Sequence, residues 1–126
     1  MTDSILKTIR KTVIGMPINS QNPDEEAAFD TDLIMHINTA FAILAQLGAG
    51  PDGGFSITDD SAMWSDYIVV HDKLSGEIAQ MVKTYVTLKV RLLFDPPANS
   101  AAVEQMNKSA AECEWRICEG YAKYKL

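Results

Sequence analysis

Pro96 and Pro97 interrupt the longest helical pattern in the chain, and no other feature constrains the fold as tightly. Proline lacks the amide a helix interior uses and drives the preceding residue out of the α region, so Asp95-Pro96-Pro97 must end a helix. On its N-terminal side, from about Lys73 to Phe94, apolar residues fall at Leu74, Ile78, Met81, Tyr85, Leu88 and Leu92. Spacings of three and four place them on one helix face. Val82, Val86 and Leu93 widen that face, while Gln80, Lys83, Thr84, Thr87 and Arg91 gather opposite it. On the C-terminal side Asn99 or Ser100 can cap a new helix, because a short side-chain oxygen accepts a bond from a first-turn amide. Val103, Met106, Ala110, Cys113, Ile117 and Tyr121 then recur at helical spacing, with Glu104, Lys108, Glu112 and Glu119 on the far side. So short a connection folds the two arms antiparallel, each spanning roughly 30 Å for about twenty residues.

The remainder supplies elements to pack against this hairpin. Asp3 or Ser4 can cap a short first helix with Ile5, Leu6, Ile9 and Val13 on its apolar side and Lys7, Arg10 and Lys11 on a basic one. Gly15 and Pro17 end it. Residues 15–28 read as a loop with a solvated acidic cluster at Asp24–Glu26. Asp30, Thr31 or Asp32 can cap a second core helix whose stripe is Leu33, Ile37, Ala40, Leu44 and Leu47, flanked by Ile34 and Phe41 and stopped at Gly48. Pro51-Asp52-Gly53-Gly54 predicts a tight turn, and the alternation Phe55-Ser56-Ile57-Thr58 leaves room for a short strand. Thr58, Asp59 or Asp60 can start a short helix carrying Trp64 and Tyr67. The expectation is an all-α fold: one compact domain over residues 1–126, four or five helices around the long hairpin, with at most a small β element near 48–58.

With 126 residues, one domain is the natural count, large enough to bury a core without staples. A net charge of −6 without a lysine or arginine run argues against a dedicated DNA or RNA binder, which needs cations to displace counterions from phosphate. Cys113 and Cys118 lie five apart on one helix, about half a turn out of register, and cannot bond to each other there. A reducing compartment follows most simply. No apolar signal core or bilayer-length run is present, so a cytoplasmic origin and no membrane partner are expected.

No chemistry-bearing constellation emerges. His36 and His71 are isolated, outside any HExxH frame or cysteine spacing that would hold a metal, and read as structural. The glycine-rich loop carries neither GxxxxGK[ST] nor GxGxxG. No GxSxG, Ser/His/Asp or Cys/His set can be argued, and helix capping explains Asp59–Asp60 more simply than cation binding does. No catalytic, cofactor or metal residue is therefore assigned. Trp64 and Trp115 read as core or interface anchors rather than stacking platforms for bases. Lys89 projects into the apolar face between Tyr85, Leu92 and Leu93. Either its stem packs while the amine reaches water, or it pairs with a carboxylate, including one on another subunit. Glu114 lies equally oddly on its arm, near the level of Met81 and roughly 12 Å along the axis from Lys89.

KVRLLFDPPANSAAVEQMNK (89–108) followed by ECEWR (112–116) resembles a signature of small tailed-phage and prophage proteins. FDTDLIMHIN (29–38), QLGAGPDGGFSI (46–57) and the segment around Trp64 extend the resemblance, in order, over nearly the whole chain. The proteins so resembled are the head–tail connectors, or neck adaptors, of long-tailed phages. The resemblance implies a compact helical, non-enzymatic virion protein, made in the host cytoplasm, that assembles with itself as a ring, typically twelve-fold. Its partners would be the portal above and a stopper or tail-completion protein below, with DNA passing through unread. A helical tail-completion or scaffolding-type module without portal contact is the alternative, and a small enzyme or regulator is the least supported reading. In a ring one protomer face must meet a different face of the next. Val90 and Phe94, outside the main stripe, are candidates for that contact, as are Lys89, Phe55 and Ile57 of the glycine-rich loop, and Tyr121, Lys123, Tyr124 and Lys125 of the tail. The tail lysines would suit an acidic patch on the portal.

Overall fold

The double proline divides the chain where expected. A computed structural model describes residues 4–15, 29–51, 53–67 and 72–125, with nothing said of the side chains of 72–76 and 121–125. Five helices are numbered here in chain order among these residues: α1 (Ile5–Ile9), α2 (Asp30–Gln46), α3 (Trp64–Tyr67), α4 (Asp72–Phe94) and α5 (Ser100–Lys125). A turn of π-helix, Arg10–Ile14, continues α1. α4 is the central rod, with α5 packed along it as the returning arm and α2 also packed on it; α1 lies against α2. No strand forms among the described residues, so the fold is all-α, and the small β element that the sequence left room for near 48–58 does not form among them. A lone antiparallel bridge instead joins Ser4 to Met63.

Each boundary has a local cause. Asn99 caps α5: its Oδ1 accepts from the Ala101 amide at 2.8 Å and the Ala102 amide at 3.4 Å. Ser4 caps α1, its Oγ accepting from the Lys7 amide at 3.3 Å. α2 closes on Gly48 at φ 93°, where the Ala49 amide reaches the Leu44 carbonyl at 2.9 Å and the Gly48 amide the Ala45 carbonyl at 3.1 Å. This is the Schellman geometry, and it favours glycine because the left-handed conformation strains a residue with Cβ. The start of α2 differs from expectation. Its N-cap position is Phe29, with no side-chain cap, and Asp30 lies inside the first turn facing Arg10. α3 also begins later than expected, because Asp59 holds a separate turn by accepting from the Ser61 amide and hydroxyl. Those two bonds, the hydroxyl's first, hold the Asp59 carboxyl below its usual pKa.

The core runs from Ile5, Leu6 and Ile9 through Leu33, Ile37, Phe41 and Leu44 to Ile78, Val82, Tyr85, Val86 and Val90, and reaches α5 at Ala110 and Ile117. Phe41, Phe55, Trp64 and Tyr67 form an aromatic cluster, Phe41 lying 5.0 Å from Phe55 and 4.7 Å from Tyr67 between ring centroids. Gly50 closes over it at φ 97°, where an added Cβ would stand 2.6 Å from the Tyr67 hydroxyl. The Tyr67 ring packs against both Phe41 and Phe55 and is almost wholly buried, so yielding to that Cβ would disturb the cluster. Gly50→Ala is therefore expected to cost about 2–3 kcal/mol, left-handed strain and overpacking combined. Chemical denaturation checks this, and a variant as stable as the parent contradicts it.

Candidate assembly interface

With no catalytic constellation to build on, the functional surface is sought where apolar side chains remain in water. Single exposed apolar residues are ordinary, but five large ones stand out: Phe29, Met35, Leu47, Leu93 and Trp115, between 44% and 61% exposed. They belong to α2 and its two ends, to α4 and to α5. At the double-proline end, Phe94 is half-buried, edge-on to Phe29 at 5.4 Å between centroids, with the half-buried His36 ring at 6.4 Å. Leu93 lies beside this aromatic corner at 50% exposure. Arg91 folds its Nε onto the Asp95 carbonyl at 2.6 Å, closing the last turn of α4 just before Pro96.

The residues named from sequence divide sharply. Val90 is fully buried and belongs to the core, as does Ile57 at 2% exposure, so neither is open to a neighbour in this protomer. The buried stripe of α4 follows Ile78, Val82, Tyr85, Val86 and Val90, while Leu88 and Leu92 are half-buried and Leu93 is exposed. A rod packed on both α2 and α5 buries more of its circumference than a single-face pattern allows. Ile57 is fixed by Asn38, whose Oδ1 accepts from its amide at 2.7 Å and whose Nδ2 donates to its carbonyl at 2.9 Å. Both backbone groups are thus satisfied without a strand partner. Phe55 is half-buried in the aromatic cluster. Lys89 is half-buried with its Nζ 5.8 Å from the centroid of the Tyr85 ring, a cation over an aromatic face. Tyr121, Lys123, Tyr124 and Lys125 lie in the last turns of α5, and their side chains fall outside the described residues, as do His71 and the acidic cluster at 24–26.

The α4–α5 seam includes titratable side chains. Tyr85 is fully buried, and its hydroxyl has no hydrogen-bond partner of acceptable geometry, although the half-buried Glu114 carboxylate stands next to it. Burial first, then Glu114, push the Tyr85 pKa well above the usual tyrosine range. Burial likewise raises both thiols, with Glu112 adding to the effect at Cys113 and Glu114 at Cys118. The folded state thus holds the Tyr85 proton more tightly than the unfolded chain does. That contribution is intact below about pH 10, the unfolded value, and is lost as pH rises through the raised folded one. Tyr85→Phe is expected to flatten the fall in stability above about pH 10. At pH 7 it should leave stability unchanged or raise it by about 1 kcal/mol, since a buried hydroxyl without a partner is removed. Thermal melts from neutral to strongly alkaline pH check both, and an unaltered alkaline limb contradicts the assignment.

Four exposed residues escaped sequence reasoning as contact candidates: Phe29, Met35, Leu47 and Leu93; Leu47, expected to close the core stripe of α2, follows its last turn and is exposed instead. Met35 could have been found, because it lies opposite the Leu33–Ile37–Leu44 stripe at a position where a soluble helix normally carries a polar residue. Trp115 could be placed only as core or interface; the structure puts it at 61% exposure and Trp64 at 0%. Among the described residues no group of His, Cys, Asp and Glu could hold a metal, and no helix is long and apolar enough to cross a membrane. No match was found among curated proteins or solved structures. The family model described as phage connector protein matches residues 5–122.

Proposed function

The chain belongs to the phage connector protein family, and from that premise we propose that it is a head–tail connector of the virion neck, with residues 1–126 acting as one assembly unit. Copies form a ring beneath the portal, twelve-fold as the sequence resemblance implies. The ring extends the DNA channel and receives a stopper or tail-completion protein. The role is structural rather than catalytic. The family match over nearly the whole chain carries this reading, and three physical features support it. Exposed apolar side chains on three separate helices leave surface for a heterologous contact, the kind that closes into rings. A net charge of −6 disfavours adhesion of DNA as it passes. The half-buried Phe94 and Lys89, at the double-proline end of α4, stay available to a neighbouring protein, and the lysines of the α5 tail suit an acidic patch on the portal.

The test is removal. Phage grown without this chain should accumulate DNA-filled heads and free tails side by side in negative-stain images, and supplying the chain should restore joining. Heads that join tails normally in its absence would contradict the proposal and favour a role away from the portal.

A further inference from the structure

α5 is tied to the rest of the protomer along one flank, chiefly on α4. From Ser100 to Gly120 only Ala110 and Ile117 are buried, with Val103, Met106, Cys113 and Cys118 half-buried beside them. The shorter α2 buries Leu33, Ile37, Ala40, Phe41 and Leu44, and α1 buries Ile5, Leu6 and Ile9 within five residues. Most of a helix's stability in a protein comes from the apolar surface it buries, so α5 is the least securely held of the long helices. Its seam also carries a cost that separation removes. The Tyr85 hydroxyl is buried there without a hydrogen-bond partner, beside the half-buried Glu114 carboxylate. Both groups regain water when α5 leaves α4.

The link between the two helices does not oppose that movement. Pro96 and Pro97 have no amide to donate, and the bonds on either side of them stay within one helix end. Asp95 bonds back to Arg91, its amide to the Arg91 carbonyl at 3.0 Å and its carbonyl to the Arg91 Nε. Asn99 bonds forward, to the amides of Ala101 and Ala102 through its side chain and to that of Val103 through its carbonyl. None of these bonds crosses from α4 to α5. The ion pairs Glu104–Lys108 and Glu112–Arg116 are likewise internal to α5 and travel with it. We propose that α5 is a hinged arm, which swings off α4 about Pro96–Pro97 as a unit while α1, α2 and α4 stay packed together. The protomer then has two folded states, closed and a minor open one, separated by less free energy than global unfolding. This division into a rigid body and one movable helix holds independently of the connector reading.

The experiment is native-state hydrogen exchange of the full chain, read by mass spectrometry at neutral pH in low concentrations of guanidinium. A single helix in water is only partly formed, so the amides of α5 exchange once it has left α4. Amides from Val103 to Ile117 are expected to exchange about a hundredfold faster than those of Leu33–Leu44 and Val82–Val90. Their dependence on guanidinium should be weaker, because opening the arm exposes less surface than unfolding the whole chain. Equal protection and equal denaturant dependence in the three helices overturns the proposal, as does exchange of α2 ahead of α5. A conservative variant separates an independent arm from a single cooperative unit. Ile37→Val weakens the packing of α2 and should speed exchange of Leu33–Leu44 about fivefold while leaving α5 unchanged, since opening the arm does not disturb Ile37. Exchange in α5 that rises by the same factor overturns the proposal.

Discussion

Trp64→Ala is expected to lower stability by about 3–5 kcal/mol, the range for removing a fully buried tryptophan. Trp64 has no exposed surface and ties together three parts of the chain. Its ring lies 6.4 Å from Phe41 of α2, its Nε1 donates to the Thr8 hydroxyl of α1 at 3.3 Å, and the Lys83 ammonium of α4 sits 5.9 Å above it. Truncation would leave a void bounded by three helices that cannot all close in, because α1 is also held by its bridge to Met63 and the Ile5 amide bond to the Ala62 carbonyl. For a domain of this size, stable by about 5–15 kcal/mol, such a loss is a large fraction of the folding free energy. The measurement is denaturant unfolding followed by circular dichroism. A change below about 1 kcal/mol would contradict this packing, since only a site that collapses freely behaves so. The contrast with Trp115 is the useful control, because the same residue type at 61% exposure should matter little to folding.

Arg10→Ala has the second largest expected effect. The guanidinium is almost wholly buried and grips Asp30 with two parallel bonds, Nε to Oδ1 at 2.8 Å and a terminal nitrogen to Oδ2 at 2.6 Å. It joins the π turn after α1 to the first turn of α2, on opposite sides of the 16–28 connection. Removing one partner of a buried pair commonly costs about 3–5 kcal/mol, chiefly through the charge left behind. Asp30 keeps 22% of its side-chain surface in water, so about 3 kcal/mol is expected here. Arg10→Lys should recover only part of this, because an ammonium cannot offer the parallel fork that the carboxylate accepts. Unfolding curves of both variants decide it, and an Arg10→Lys variant equal to the parent would mean that charge alone matters.

The hairpin was legible because its causes are local. Apolar spacing marks the arms, Asn99 caps the second, and Pro96-Pro97 leaves the chain no way to continue as one helix. Gly48 was legible for the same reason, since a left-handed stop favours a residue without Cβ. What escaped was set by distant partners. Asp30 looked like a helix cap, and nothing nearby reveals that Arg10, twenty residues earlier, claims both its oxygens. Phe55–Thr58 alternates as a strand would, yet Asn38 on α2 satisfies both backbone groups of Ile57 and no strand is needed. Val90 was placed outside the stripe because a single-face pattern centred on Leu88 and Leu92 does not anticipate a helix packed on both α2 and α5. The family was legible in the signature words around Pro96–Pro97, whereas the exposure of Met35 and Trp115 shows only once their helices are seen packed on α4.

A cryo-EM map of the intact neck tests the central claim most directly. A closed ring of this chain immediately below the portal, with the α4–α5 hairpin recognisable in every copy, is the predicted result. A neck whose density is fully accounted for by other proteins would contradict it.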